Sequence, residues 1–189
     1  MKINYILKYI YFTIILKPIT IILYYLVGSF FSSYVIIDKK LYLSSGNRRN
    51  VYIHPNDNNK IIKINKEGYI WNNNMENYRS YLFMSKLNYI SKNYGLTSTN
   101  LGIGIVYELI RDYDNNISKT VHYYLQNNIY NDEIINQLKK YYKEFYENYD
   151  IIIHNNKSNI LVKKISNEKI KLVIIDGYDT FLDSKLNLA

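Results

Sequence analysis

From Lys40 the chain alternates apolar and polar positions with the period of strands. Leu41 and Leu43 lead into the polar loop SSGNRRN, Val51, Tyr52 and Ile53 follow, and the turn segment HPNDNN precedes Ile61, Ile62, Lys63 and Ile64. The pattern predicts short strands joined by tight connections. It then changes: Asn72 to Asn74 precede Met75, Tyr78, Leu82 and Phe83, which predicts a helix with Glu76 in its first turn. Ile103 to Ile110 reads as a mostly apolar strand ending in Glu108, Leu109 and Ile110, and the polar, turn-rich segment IRDYDNNISKT follows it. Residues 132 to 149 carry Ile135, Leu138, Tyr142, Phe145 and Tyr149 at three- and four-residue steps, an amphipathic helix of about five turns. Beyond it, the apolar runs from Asn159 to Val162 and from Leu172 to Ile175 flank a charged connection, the pattern of a hairpin.

Residues 1 to 37 differ in kind. The twenty residues from Pro18 to Ile37 carry no charge, about the length needed to cross a bilayer core, and Tyr24, Tyr25 and Tyr34 suit its interfaces. A membrane anchor is the expectation. A cleaved signal peptide fits less well, because no Ala-x-Ala-like site follows; an upstream extension of the coding frame or a fusion scar is the third reading. Lysines before the run and basic residues after it nearly balance, so orientation stays open.

A chain of 189 residues is one domain by size, with room for an appendage. The 23 tyrosines, with abundant Ile, Asn and Lys, look like coding bias and carry little weight as stacking surfaces. With no cysteine there is neither a disulfide nor a thiolate zinc site, and His54, His122 and His154 stand singly, outside metal-ligand spacing. His122 reads as structural. With Lys2, Lys8 and Lys17 set aside, 21 of the 24 basic residues face 16 acids, a mildly basic +5 that suits a phosphate ligand or is an ordinary solvated surface.

Three features could carry chemistry. Asn159 and Asp176 would stand together at the open end of the second hairpin, a pair of hard oxygen ligands of the sort that holds magnesium against nucleotide phosphates. A hairpin with ordinary polar ends has the same pattern. Lys63 inside an apolar strand could reach phosphates covered by the amides of the Gly46 loop; the alternative is a solvent-facing lysine on a half-buried strand. Glu76 could pair with a lysine or simply favour a helix N-terminus.

The spaced residues Leu43, Gly46, Arg49, Tyr52, His54, Pro55 and Asp57, followed by Ile62-Lys63-Ile64, resemble the opening of the YrbL family, the PhoP regulatory network proteins. The resemblance continues through LGIGIVYELIRDYD and ISKT and ends at Ser158-Asn159-Ile160-Leu161 and Ile174-Ile175-Asp176-Gly177. It implies an α+β, protein-kinase-like fold: an antiparallel N-lobe sheet with one helix over about 38–111, and a reduced, mostly helical C-lobe over about 112–189. By the same resemblance, Gly46, Arg49 and Lys63 would serve the phosphates and Glu76 would hold Lys63. Glu108 and Ile110 would lie at the hinge that meets the base, and Asn159 and Asp176 would hold magnesium.

The implied function is binding of ATP with Mg2+, with weak or no phosphoryl transfer, because the position of the usual catalytic Asp, five residues before Asn159, is His154. The usual lysine three residues before the Asn is Asn156. His154 remains the candidate base, since imidazole titrates near neutrality. The alternative is a regulatory pseudokinase or interaction scaffold without nucleotide chemistry. Twelve residues after Gly177 are too few for a substrate-docking lobe, so support from a membrane through residues 18–37 or from a protein partner is expected. The chain is expected in the cytoplasm or held at the inner membrane facing it. Nucleic-acid binding, resting only on charge and Arg48-Arg49, ranks last and would show a steep salt dependence.

Overall fold

The computed structural model describes residues 34–66, 89–149, 151–153, 156–176 and 178–180. These fall into two compact units, one holding the described residues of 34–66 and 93–107, the other those of 89–92 and 108–180. The expected helix around Glu76, the position of His154 and residues 18–33 lie outside the described residues. The class is α+β.

The first unit is built on a six-stranded sheet. Its strands are β1 (Tyr34–Val35), β2 (Tyr42–Ser45), β3 (Arg49–His54), β4 (Asp57–Asn65), β5 (Asn93–Thr99) and β6 (Gly102–Glu108), ordered β1-β5-β6-β4-β3-β2. The expected strands on either side of the Gly46 loop and the one bearing Lys63 are β2, β3 and β4. The sheet is mixed rather than antiparallel throughout, because β1 runs parallel to β5, with Tyr34 opposite Ser98 and Val35 opposite Thr99. Ile61 to Ile64 are four consecutive buried residues, so the sheet is covered on both faces there and the strand reads as a continuous run instead of alternating. Ile62 and Ile64 join Val35, Ile37 and Val106 in one core, with Tyr52 packed against it. Gly104 makes that packing fit: a Cβ there would lie 2.4 Å from Ile62 Cγ2 and 3.2 Å from Ile64 Cγ1.

Residues 34–37 were expected to close an apolar leader, and they belong to this sheet. Val35 and Ile37 are buried while Tyr34 and Ile36 are exposed, the alternation of an extended strand. Asn100 continues the pairing beyond β1, its Oδ1 accepting from the Ile37 N–H at 2.7 Å and its Nδ2 donating to the Ile37 carbonyl at 3.2 Å. A helix through Ile37 cannot coexist with that strand, so the folded unit begins before Asp38. Among the described residues, no helix is long and apolar enough to cross a membrane.

The β3–β4 turn is tied by its own side chains. His54 Nδ1 accepts from the Asn56 N–H at 3.2 Å, and Asp57 pairs with Lys60 at 2.9 Å. Burial, reinforced by the Lys60 charge and opposed by Asp57, lowers the His54 pKa from its usual 6.5. The hydrogen bond from Lys60 lowers that of Asp57.

In the second unit, β7 (Lys119–Thr120), β9 (Ile160–Lys164) and β10 (Ile170–Ile174) form a sheet ordered β10-β9-β7, and β8 (Ile151–Ile153) pairs with β11 (Tyr178–Thr180). The short helix α1 (Val121–Gln126) starts at Thr120, whose Oγ1 accepts from the Tyr123 N–H at 3.2 Å. His122 on this helix is exposed. The long helix α2 (Asn131–Tyr149) matches the expected amphipathic segment, with Asp132 and Glu133 in its first turn where the helix dipole favours acids. Its buried stripe is offset from the expected one: Ile134 and Tyr141 are in the core, Leu138, Tyr142 and Phe145 are kept, and Ile135 is 40% exposed. Both runs satisfy helical spacing, and the sheet decides which is covered. A mostly helical half was expected, yet this core is the face of β9 and β10 with two helices laid on it.

β10 is an outer strand of its sheet, and side chains satisfy its outward edge. Gln137 Nε2 donates to the Ile170 carbonyl and Gln137 Oε1 accepts from the Leu172 N–H, both at 3.1 Å; Tyr141 Oη donates to the Leu172 carbonyl at 3.3 Å. Farther along, the Ile174 N–H donates to the Tyr89 carbonyl at 2.7 Å and the Ser91 N–H to the Ile174 carbonyl at 2.9 Å. The Tyr89 ring stacks on Tyr141 with centroids 4.2 Å apart.

Three outcomes follow from this packing. Gly104→Ala should lower unfolding free energy by about 1–3 kcal/mol in denaturant titrations, because the added methyl meets Ile62 inside a filled core. Gln137→Leu, which strands one donor and one acceptor of β10, should cost about 2–4 kcal/mol in the same measurement. The lowered pKa of His54 means that the folded state binds fewer protons than the unfolded one, so stability is full above pH 6.5 and falls as pH drops below it. His54→Asn should flatten that part of the pH–stability curve, leaving the loss that Asp57 adds below its usual 3.8.

Candidate functional site

The Gly46 loop is closed by its own backbone. The Gly46 N–H donates to the Arg49 carbonyl at 2.8 Å, and Lys66 ties the loop to the end of β4, its Nζ donating to the Gly46 carbonyl at 2.7 Å and its N–H to the Arg48 carbonyl at 2.9 Å. The Gly46 amide is therefore used within the turn, and only the rest of the loop could cover a phosphate. A side chain at 46 would make no close contact, since an added Cβ meets only the Arg49 carbonyl at 3.8 Å. Arg49 opens β3 opposite Asn65 and is half-buried. Lys66 brings a cation to this loop that the strand pattern did not single out.

Lys63 sits on β4 opposite Val51 and is 5% exposed, which rules out the solvent-facing reading. Its Nζ lies 4.5 Å from the centroid of the Tyr107 ring. A buried ammonium requires compensation, and the ring face supplies part of it.

In the second unit, Glu108 is held through its backbone, its N–H donating to the Lys92 carbonyl at 2.8 Å, and Leu109 and Ile110 are buried. The Ile110 carbonyl accepts from the Ser118 N–H at 3.1 Å, so that oxygen is engaged inside the protein. The segment after it forms a clamp centred on Asp112, which is 7% exposed. Asp112 Oδ1 accepts from Ser118 Oγ at 2.6 Å and from the Lys164 N–H at 3.0 Å, while Lys164 Nζ lies 3.5 Å from Asp112 Oδ2 and 3.8 Å from Asp114 Oδ2. Burial alone would lower the Lys164 pKa, but Tyr124, Asp114 and Asp112 outweigh it and raise the value. The Tyr113 N–H donates to the Lys164 carbonyl at 2.9 Å and its hydroxyl bonds Asn167 Oδ1. The polar segment after Ile110 is thus a salt-bridged loop with Lys164 as its cation. Arg111 is not part of those ion pairs; its Nη1 donates to the Asn115 carbonyl at 2.9 Å. The clamp grips the closed end of the β9–β10 hairpin.

At the open end stand Asn159 and Asp176. The last paired residues are Ile160 and Ile174, and the Ile175 N–H donates to the Asn159 carbonyl at 2.9 Å, which sets Asn159 beside the start of the Asp176 segment. Both are half-buried. The turn before them is capped by Asn156, whose Oδ1 accepts from the Ser158 N–H at 3.0 Å and whose carbonyl accepts from the Asn159 N–H at 2.9 Å. One amide oxygen and one carboxylate suit magnesium, which takes few protein ligands and completes its octahedron with phosphate oxygens and water. Among the described residues, no cluster of three or more His, Cys, Asp or Glu forms a self-sufficient metal cage.

Within their own units, then, Gly46 and Arg49 are joined in one loop and Asn159 and Asp176 at one hairpin end. The residues that periodicity passed over, Gln137, Lys66 and Asn156, act through the backbone, which no side-chain pattern reports.

No curated protein matches the chain. The profile of the family described as PhoP regulatory network protein YrbL matches residues 35–183, from β1 to just beyond β11. With most of its length inside that match, the chain belongs to the YrbL family.

Proposed function

We propose that this chain binds ATP with magnesium through a protein-kinase-like arrangement and transfers phosphoryl groups weakly or not at all. The observation that carries this reading is the end of the hairpin, where the Ile175 N–H donates to the Asn159 carbonyl, so that the half-buried Asn159 and Asp176 come from neighbouring positions of the two chain segments. In this reading the two hold magnesium, which when bound neutralises phosphate charge. Lys63, withdrawn from solvent on β4, is assigned to the phosphates, with Arg49 and the Gly46 loop as further contacts. Glu76 is assigned from sequence alone to hold Lys63. Glu108 and Ile110 are assigned to the base, through backbone groups other than the Ile110 carbonyl. In this reading the domain works in the cytoplasm or is held at the inner membrane facing it.

Weak transfer follows from the loop before Asn159. Asn156, at the place of the lysine that a working enzyme of this kind uses, spends its side chain on capping a turn, and His154 replaces the aspartate that orients an acceptor hydroxyl. These two substitutions favour a regulatory pseudokinase as the second reading, in which an empty or nucleotide-filled site sets a conformation that a protein partner reads.

The test is calorimetric titration of the full chain with ATP, with and without magnesium, alongside single-turnover hydrolysis. The proposal expects magnesium-dependent binding that weakens by about tenfold or more in Asp176→Ala, with hydrolysis near blank. Because an added Cβ at Gly46 meets only the Arg49 carbonyl, Gly46→Ala should leave the unfolding transition in place, while its methyl on the exposed loop should hold phosphates off the remaining amides and weaken ATP binding. A folded chain that takes up no ATP, or an Asp176→Ala variant that binds as before, would overturn the proposal. Hydrolysis well above blank would instead make His154→Ala the deciding variant for transfer.

A further inference from the structure

The edge of the first sheet at β1 presents large apolar side chains to solvent. Tyr34 and Ile36 are 65% and 71% exposed, and Leu101 and Ile103 are 43% and 42% exposed. Register puts them together: Tyr34 pairs with Ser98 and Ser98 with Ile103, so the three form one row on one face. Ile36 follows beside the turn that carries Leu101, where Asn100 holds the Ile37 backbone from both sides. Val35 and Ile37 are committed to the core on the opposite face, so the exposed row needs no unfolding to be used. After Ile37 come Asp38, Lys39 and Lys40, all exposed; the Asp38 carboxylate accepts from the Lys40 N–H at 2.8 Å, and the two lysines leave the segment with a net positive charge. The sixteen residues that lead into it, 18–33, carry no charge.

We propose that this edge is a membrane-contact surface, on which Tyr34, Ile36, Leu101 and Ile103 enter the interfacial layer of a bilayer while Lys39 and Lys40 meet anionic headgroups. An exposed apolar row rimmed by cations is the composition that interfacial binding requires, since apolar burial and attraction to acidic lipid act together. Tyrosine suits the boundary, with an apolar ring and a wet hydroxyl. A second copy of the chain is a poorer occupant: β1 is two residues long and Asn100 already occupies the backbone groups of Ile37, so few pairings remain for edge-to-edge association. This inference does not depend on nucleotide binding.

The test uses the full chain with its one tryptophan removed by Trp71→Phe and a reporter introduced by Ile103→Trp, or by Ile165→Trp on the second unit as control. Both reporters replace exposed residues, so the fold should tolerate them. Vesicles of equal parts phosphatidylglycerol and bromine-labelled phosphatidylcholine quench an indole only at the depth of the acyl boundary. The proposal expects strong quenching for Ile103→Trp and little for Ile165→Trp, with the first reduced severalfold when Tyr34→Ser and Ile36→Ser are added. No quenching, or equal quenching at both positions, would overturn it. So would a blue-shifted Ile103→Trp emission without vesicles together with a dimer mass, which would mark the edge as an interface between copies.

Discussion

The second unit depends on how strand β10 is held. A two-stranded hairpin is marginal by itself, and its outer strand would show water a row of unpaired amides and carbonyls. Here β9 takes one edge of β10, while the other is met by Gln137 and Tyr141 of α2 and by the backbone around Ser91. The Asp112 clamp grips the closed end of the hairpin through Lys164. Register is thereby set at both edges and at the turn. A slip of β10 by one residue would turn Ile170, Leu172 and Ile174 out of the core. It would also separate Asn159 from Asp176, so the polar pair owes its position to apolar packing far from it.

The first unit solves a different problem, that of keeping an ammonium inside a sheet. The strand around Lys63 is covered on both faces, and its neighbours on either side, Ile62 and Ile64, are core residues that hold the backbone in place. Gly104 lets the adjacent strand come close enough for those isoleucines to fill the interior. Lys63 then projects from the other face, against the Tyr107 ring. A lysine kept this way has little freedom of rotation left.

The family signature also divides by role. Gly46 and Arg49 shape one loop, whereas Tyr52 packs on the core and His54 and Asp57 organise the next turn. Much of what makes the signature distinctive is thus turn chemistry. The Arg-Asp-Tyr-Asp segment is similar: its acids hold Lys164 and the hairpin, which accounts for charge in a place where no reaction needs it.

The second hairpin, the strands on either side of Gly46 and the long helix were legible in the sequence because each is local: apolar spacing reports a strand or helix wherever one face is buried. The same logic located Asn159 and Asp176 at one hairpin end, since the lengths of the two apolar runs set their register. It could not tell Ile134 from Ile135 as the buried edge of the helix, nor an exposed Lys63 from a buried one. Those outcomes depend on which surface the rest of the chain brings against the element. The end of the uncharged run shows the limit most clearly. By itself, Tyr34-Val35-Ile36-Ile37 is equally good as the last turn of an apolar helix and as a strand, and only the open edge of β5, with Asn100 placed to hold Ile37, decided for the strand. Local periodicity determined the elements and the residues at their ends; the tertiary structure decided faces, edges and burial, because those are set by partners distant in the chain, as Asn100 is from Ile37.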